Sequence, residues 1–131
     1  MKCYILGAVT GSAENAKEIF NIYKSALENK FEILGTPLET AEYKGNFEER
    51  FKRAKNFVKK ADVIIAEVST ASTGAGIELG MAHLLNKNIY CFANKDSKVS
   101  GLLIGMVGNN KVICYKNEKD LYEILKNFKF Q

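Results

Sequence analysis

A doubly wound α/β sandwich, with five parallel strands between two helical layers in the Rossmann or flavodoxin manner, is the fold class this sequence predicts. Three observations predict it. Short β-rich apolar runs alternate with helical periods along the chain, one of those runs is unbroken and β-branched, and small loops rich in glycine and hydroxyls follow the first and third runs. Residues 2–7 (KCYILG) read as the first strand and end at glycine. Beyond Ala13 the apolar positions Ala16, Ile19, Phe20, Tyr23, Ala26 and Leu27 fall at the spacing of one buried helical stripe. Residues 31–34 (FEIL) read as the second strand, closed by Gly35-Thr36-Pro37 with the only proline, and the polar stretch 38–46 reads as loop. Phe47, Phe51, Ala54, Val58 and Ala61 mark the next amphipathic helix. The run 62–68 (DVIIAEV) suits a parallel strand covered on both faces. Residues 69–76 (STASTGAG) form the second small polar loop, and a helix is expected from near Ile77 to about Leu85. Residues 88–93 (NIYCFA) and 111–115 (KVICY) are the fourth and fifth strands, and Leu121, Ile124, Leu125 and Phe128 mark the last helix. No repeat, linker or low-complexity tract interrupts the chain, so one domain over residues 1–131 is expected.

Composition narrows the class of function. With 131 residues, 47% apolar and 26% charged, the chain has the make-up of a globular protein with a proper core. The 19 Lys+Arg against 15 Asp+Glu leave only +4, with lysines scattered where solvated helical faces are expected, so no nucleic-acid partner is expected. No apolar run approaches the ~20 residues of a membrane span, and the opening MKCYILGAVTGS lacks the shape of a signal peptide. Cys3, Cys91 and Cys114 are odd in number, widely spaced and set in strand-like runs; they read as reduced core thiols of a cytoplasmic protein.

In an open parallel sheet, ligands bind beyond the carboxyl ends of the strands, where the winding reverses. Two loops there have suitable chemistry: Gly7-Ala8-Val9-Thr10-Gly11-Ser12 and Ser69–Gly76, whose backbone N–H groups can hold an anion at a helix start. Neither is a nucleotide fingerprint. The second runs G-x-G-x-x-x-G from Gly74 to Gly80, one residue off the dinucleotide spacing, and no P-loop occurs, so both also read simply as tight β–α turns. Glu78, two residues past Gly76, is expected in the first helical turn, where the helix dipole would keep it ionised and suited to act as nucleophile or anionic stabiliser. An acidic first turn is also an ordinary helix-start device. Glu67, a carboxylate within an apolar strand, needs partners; it either orients the site or hydrogen-bonds a loop backbone. His83, the lone histidine, reads as a packed or half-exposed helix residue. Neither a metal site nor a Ser/His/Asp triad is suggested.

The block Ala61-Asp62-Val63-Ile64-Ile65-Ala66-Glu67-Val68-Ser69, followed by Ser72-x-Gly74-x-Gly76-x-Glu78-Leu79-Gly80-x-Ala82, resembles the signature of the nucleoside 2-deoxyribosyltransferase family, most closely its 2′-deoxynucleoside 5′-monophosphate N-hydrolase branch. Tyr4-Ile5-Leu6-Gly7 and the loop to Gly11 are similar to that branch's first strand and turn. The resemblance implies a cofactor-free glycosidic mechanism. Glu78 would attack C1′ of a 2′-deoxyribose, and water or a second base would take the sugar from the resulting ester. Tyr4 would lie near the sugar. Ser72 and the backbone of the two loops (Gly7, Ala8, Val9, Thr10, Gly11, Gly74 and Gly76) would cradle the 5′ end, and a homodimer would complete the site. Three positions depart from the pattern: Ala54 stands where the family has an acid that protonates the leaving base, Thr10 where the hydrolases have an arginine near the phosphate, and Ser100 near a serine brought by a neighbouring subunit. Glu67 is then a candidate proton donor. The segment Leu102–Val107 reads either as a dimer contact or as a core helix. Two functions follow: N-glycosidic cleavage of a deoxynucleoside or deoxynucleotide, or a nucleotide-binding module of the same fold with little turnover.

Overall fold

The structure, a computed structural model, describes residues 1–9 and 15–130. Five strands, β1 (Lys2–Gly7), β2 (Glu32–Gly35), β3 (Val63–Glu67), β4 (Asn88–Asn94) and β5 (Val112–Tyr115), form one parallel sheet in the order β2-β1-β3-β4-β5. Six α-helices accompany them: α1 (Ala16–Leu27), α2 (Pro37–Glu42), α3 (Phe47–Lys60), α4 (Thr73–Leu84), α5 (Gly101–Val107) and α6 (Glu118–Asn127). The doubly wound sheet expected from the alternating pattern is therefore present, with its winding reversing between β1 and β3.

Strand alternation divides the core into two layers. Cys3 and Ile5 of β1 and Val63 and Ile65 of β3 pack beneath α1 and α6. Tyr4 and Leu6 of β1, with Ile64 and Ala66 of β3, pack on the opposite face with residues of α3 and α4. β3 is buried along its whole length, as its continuous apolar run requires; each of its buried Val and Ile side chains contributes about 1.5–3 kcal/mol. Register aligns Gly7, Glu67 and Phe92 across the carboxyl ends of β1, β3 and β4, the crevice where such sheets bind ligands.

Three expectations need correction. Residues 37–42 are helix, not loop: Thr36 accepts from the Leu38 N–H at 3.2 Å, Glu39 reaches back to the Thr36 N–H at 3.1 Å, and Pro37 supplies a preset φ at the first position. Helix α4 begins at Thr73, four residues before Ile77, because the Ser72 side chain caps it by accepting from the Ala75 N–H at 3.2 Å. Cys114 is exposed, unlike the buried Cys3 and Cys91. It sits on edge strand β5, between Ile113 and Tyr115, which face the α1/α6 layer, and its own side chain turns the other way. Burial pushes the Cys3 and Cys91 thiols up to about 12, so both are inert core groups. No helix among the described residues is long and apolar enough to cross a membrane.

Candidate active site

The alternation of β1 aims Tyr4 at the α3/α4 layer, and there it meets Glu78. The Tyr4 hydroxyl donates to Glu78 Oε2 at 2.5 Å, and the Tyr4 ring, 2% exposed, stacks on Phe57 of α3 with centroids 5.1 Å apart. Glu78 Oε1 carries no hydrogen bond to a described residue. Because α4 starts at Thr73, Glu78 lies in its second turn, beyond the reach of most of the dipole effect. Burial dominates instead and pushes the Glu78 carboxyl above its usual range, against the Tyr4 hydrogen bond and the Arg53 charge, which both pull it down. The expectation of a carboxyl acidified by its helix start is corrected accordingly. The Tyr4 phenol is raised by its own burial and then by the Glu78 charge, so it stays a donor at neutral pH.

Arg53 was not legible as a site residue. Its Nη1 donates to Thr40 Oγ1 at 3.1 Å, and its guanidinium lies 4.9 Å from the Tyr43 ring centroid and 4.8 Å from that of Phe57. Thr40 comes from α2, the helix the sequence reading had as loop. Tyr4, Thr40, Tyr43, Arg50, Arg53 and Ala54 line a small cavity of about 10 Å³, room for about one water. Arg50 closes its rim by donating to the carbonyls of Tyr43 (2.9 Å) and Gly45 (3.2 Å).

Glu67 lies on the other face of the sheet. It is 8% exposed; its Oε2 accepts from Tyr23 at 2.7 Å and Tyr115 at 3.0 Å, and its Oε1 accepts from the Ser69 N–H at 3.0 Å and from the Ser69 hydroxyl. Ser69 in turn accepts from the Asn94 N–H at 2.7 Å. The network ties β3 to α1, β4 and β5. Burial raises the Glu67 carboxyl, and its hydrogen-bond donors oppose the rise. Glu67 and Glu78 are not hydrogen-bonded to each other: Tyr4, the partner of Glu78, stands in register with Ile64, and Glu67, three residues further along β3, turns its carboxylate to the opposite layer.

The remaining expected residues fall into two groups. Ser72, Gly76 and Ser100 line a cavity of about 410 Å³ between the β3–α4 loop, α4 and α5, together with Glu67, Lys98, Leu102 and Met106. That volume is within the range of ligand pockets. Ala8 lines a second cavity of about 360 Å³ on the α1/α6 side, with Asn15, Glu67, Ser69 and Asn94. Gly7 packs so tightly that an added Cβ would stand 2.6 Å from the Phe20 ring. Val9 packs against the α1/α6 core, and Gly74 is exposed in the first turn of α4. Thr10 and Gly11 lie outside the described residues. His83 is exposed, and among the described residues no group of three His, Cys, Asp or Glu could hold a metal.

No family model matches the chain. It is 28% identical to a protein of Methanosarcina mazei provisionally named 2′-deoxynucleoside 5′-phosphate N-hydrolase 1, over 95% of this chain and 81% of that one. It is 25% identical to the 5-hydroxymethyl-dUMP N-hydrolase of Tetraodon nigroviridis, over 98% and 96%. Among solved structures, the Clostridium botulinum CMP N-glycosidase BcmB superposes with a TM-score of 0.71 at 21% identity, covering 95% of this chain and 98% of that one. The 2-deoxyribosyltransferase of Bacillus psychrosaccharolyticus gives 0.70 at 19% identity, over 99% and 93%. The relatives by sequence are thus named as N-hydrolases of deoxynucleoside monophosphates, and the fold is that of deoxyribosyltransferases and an N-glycosidase, as the Ala61–Ala82 resemblance implied.

Proposed function

We propose that this chain cleaves the N-glycosidic bond of 2′-deoxynucleosides or their 5′-monophosphates, with Glu78 as the nucleophile. The observation that carries the reading is the Tyr4–Glu78 pair: a half-buried carboxylate with one oxygen fixed by a phenol and the other without a hydrogen bond among the described residues. Oε1 attacks C1′, the C1′–N bond breaks with its electron pair on the base, and a sugar ester forms on Glu78. Water, or a second base, then takes the sugar and regenerates the carboxylate. Tyr4 holds the carboxylate in one rotamer and stabilises it until attack, so the reacting oxygen is pre-positioned.

Ser72, Gly74, Gly76 and Ser100 form the binding wall for the sugar and its 5′ substituent. Supporting this, Ser72, Gly76 and Ser100 share one cavity at the carboxyl end of the sheet. A homodimer is part of the reading: Leu102, 88% exposed beside Ser100, offers an apolar contact for a second copy. The unpaired thiols fit a reducing, cytoplasmic setting.

The test is direct. The protein is incubated with each deoxynucleoside and each 5′-monophosphate, and free base is followed by chromatography. Release that disappears in Glu78→Gln supports the reading. Release that survives the substitution removes Glu78 as nucleophile, and tight binding without release from any substrate favours a binding module, for which the alanine at position 54 already speaks.

A further inference from the structure

A carboxylate that acts as a nucleophile has to be ionised, and burial works against Glu78 in that respect. Whatever opposes burial is therefore part of the site. Among the described residues, two groups pull the Glu78 carboxyl down: Tyr4 of β1 by its hydrogen bond, and Arg53 of α3 by its charge. The other ionisable groups on the neighbouring helices are engaged or outside. Glu39 of α2 is bound in its capping box with Thr36, Glu49 of α3 lines an outer groove, and His83 of α4 is exposed. Arg53 makes no hydrogen bond to Glu78, and Glu78 does not line the cavity beside the guanidinium. The two are connected through other side chains.

Thr40 of α2 stands between them. Tyr4, Thr40 and Arg53 line one cavity with room for about one water, which keeps these side chains within contact, or one water, of each other. Arg53 Nη1 donates to Thr40 Oγ1 at 3.1 Å, and the Tyr4 hydroxyl donates to Glu78 Oε2 at 2.5 Å. The Thr40 hydroxyl joins these two bonds: it acts on the Tyr4 hydroxyl as a donor, opposing the rise that burial and the Glu78 charge impose on the phenol. Its other acceptor, the Thr36 carbonyl, is 3.4 Å away, longer than an O–H···O bond of full strength. All three protons then point one way, from the cation to the carboxylate. Donation from a charged group makes the Thr40 hydroxyl a better donor, and a phenol oxygen that accepts a bond is in turn a better donor to Glu78. Packing fixes the members: the guanidinium lies between the Tyr43 and Phe57 rings, and Phe57 stacks on Tyr4.

Resting on the function proposed above, we infer that Thr40 and Arg53 are positioning residues for the nucleophile: a hydrogen-bond relay running Arg53, Thr40, Tyr4, Glu78 carries the influence of the guanidinium to the carboxylate through the phenol and keeps that carboxylate anionic and aimed. Neither residue touches the reacting atoms. Helix α2 has its place in the site through this one hydroxyl, and Arg53 acts at a distance without forming an ion pair that would block Glu78.

The experiment follows the side-chain carboxyl carbon of Glu78 by NMR as pH is varied, its signal assigned by its absence from Glu78→Gln. Thr40→Val is expected to raise the titration midpoint by about half a pH unit, about threefold in the ionised fraction on the acid side, while Thr40→Ser keeps the wild-type midpoint. Arg53→Gln raises it as well, and by less in the Thr40→Val background than in the wild type, because the path through Thr40 is already cut. In Tyr4→Phe, Thr40→Val moves nothing. The acid limb of single-turnover base release shifts with the midpoint in each variant. Thermal unfolding establishes that the variants fold, and Thr40→Ala takes the place of Thr40→Val if the latter does not. A merely structural threonine would leave the midpoint where it is. An unchanged midpoint in Thr40→Val, or shifts from Thr40→Val and Arg53→Gln that simply add, overturns the relay and leaves the role of Glu78 intact. Base release that persists in Glu78→Gln, or an acid limb that ignores a shifted midpoint, overturns Glu78 as the nucleophile, and with it the positioning role given to the relay.

Discussion

Replacing Glu67 by alanine tests the claim that this carboxylate holds the fold together rather than doing chemistry. The substitution removes the acceptor of four donors: the Tyr23 hydroxyl, the Tyr115 hydroxyl, the Ser69 N–H and the Ser69 hydroxyl. Two of these recover partners, because the Ser69 hydroxyl still accepts from Asn94 and lies 3.2 Å from the Tyr115 hydroxyl. The Tyr23 hydroxyl does not: the residue is 0% exposed and makes no other hydrogen bond among the described residues. One orphaned buried hydroxyl, one weakened N–H and the void left by the carboxylate each cost about 1–3 kcal/mol, so a loss of about 3–9 kcal/mol follows. Urea unfolding followed by circular dichroism measures it. Glu67→Gln keeps one carbonyl acceptor and is expected to lose less than half as much. The decisive comparison adds activity: base release per folded molecule should persist in Glu67→Gln. A loss of stability below about 1 kcal/mol in Glu67→Ala, or a folded Glu67→Gln that releases no base, refutes the structural assignment.

Other outcomes follow from the same geometry. Tyr4→Phe keeps the stack on Phe57 but deletes a hydrogen bond to a charged group worth about 1.5–3 kcal/mol, so base release is expected to fall about 10- to 150-fold; an unchanged rate contradicts the role given to the phenol. The pH–rate profile should lose activity on its acid side at a pH above the ordinary carboxylate range, because burial raises Glu78 and protonation abolishes attack, and Tyr4→Phe should move that limb further up. Stability runs the other way: Glu78 holds its proton more tightly folded than unfolded, so its cost to the fold is present at neutral pH and relieved as pH falls through its raised pKa. Glu78→Gln is therefore expected to raise Tm at pH 7 and not at pH 4. Gly7→Ala puts a Cβ 2.6 Å from Phe20 and 3.0 Å from the Glu67 carbonyl in a packed core, and is expected to destabilise by about 1–3 kcal/mol in the same urea assay.

The fold was legible where periodicity carried it. The apolar, β-rich run of β1 and the unbroken run of β3 gave the strands, and the stripe Ile19-Phe20-Tyr23-Leu27 gave α1. Helix α2 was missed although Thr36-Pro37-Leu38-Glu39 is a helix-start signature, because six residues hold too little apolar periodicity to show a face. The start of α4 was misplaced because Gly74 and Gly76 weaken local helix propensity, whereas the Ser72 cap and the packing of Ala75, Leu79 and Ala82 outweigh it. That shift of four residues also moved Glu78 out of the first turn, and burial, not the helix start, sets the direction of its pKa. Glu78 and Tyr4 could be named from sequence, yet their pairing spans 74 residues and only the sheet brings them together. Arg53 and Thr40 had no local signal. They reach the site because α2 and α3 pack over β1, which no spacing in the chain encodes.

The central claim is that the carboxylate of Glu78 forms a bond to the sugar. Acid-quenched reaction mixtures with a 2′-deoxynucleotide, or with a 2′-fluoro analogue that slows release of the ester, are digested and mapped by mass spectrometry. The account predicts one modified peptide, carrying the mass of the 5-phosphodeoxyribosyl group (or its 2-fluoro counterpart) on Glu78 and absent from Glu78→Gln. A sugar adduct on another side chain, or full turnover with no adduct at any quench time, contradicts it.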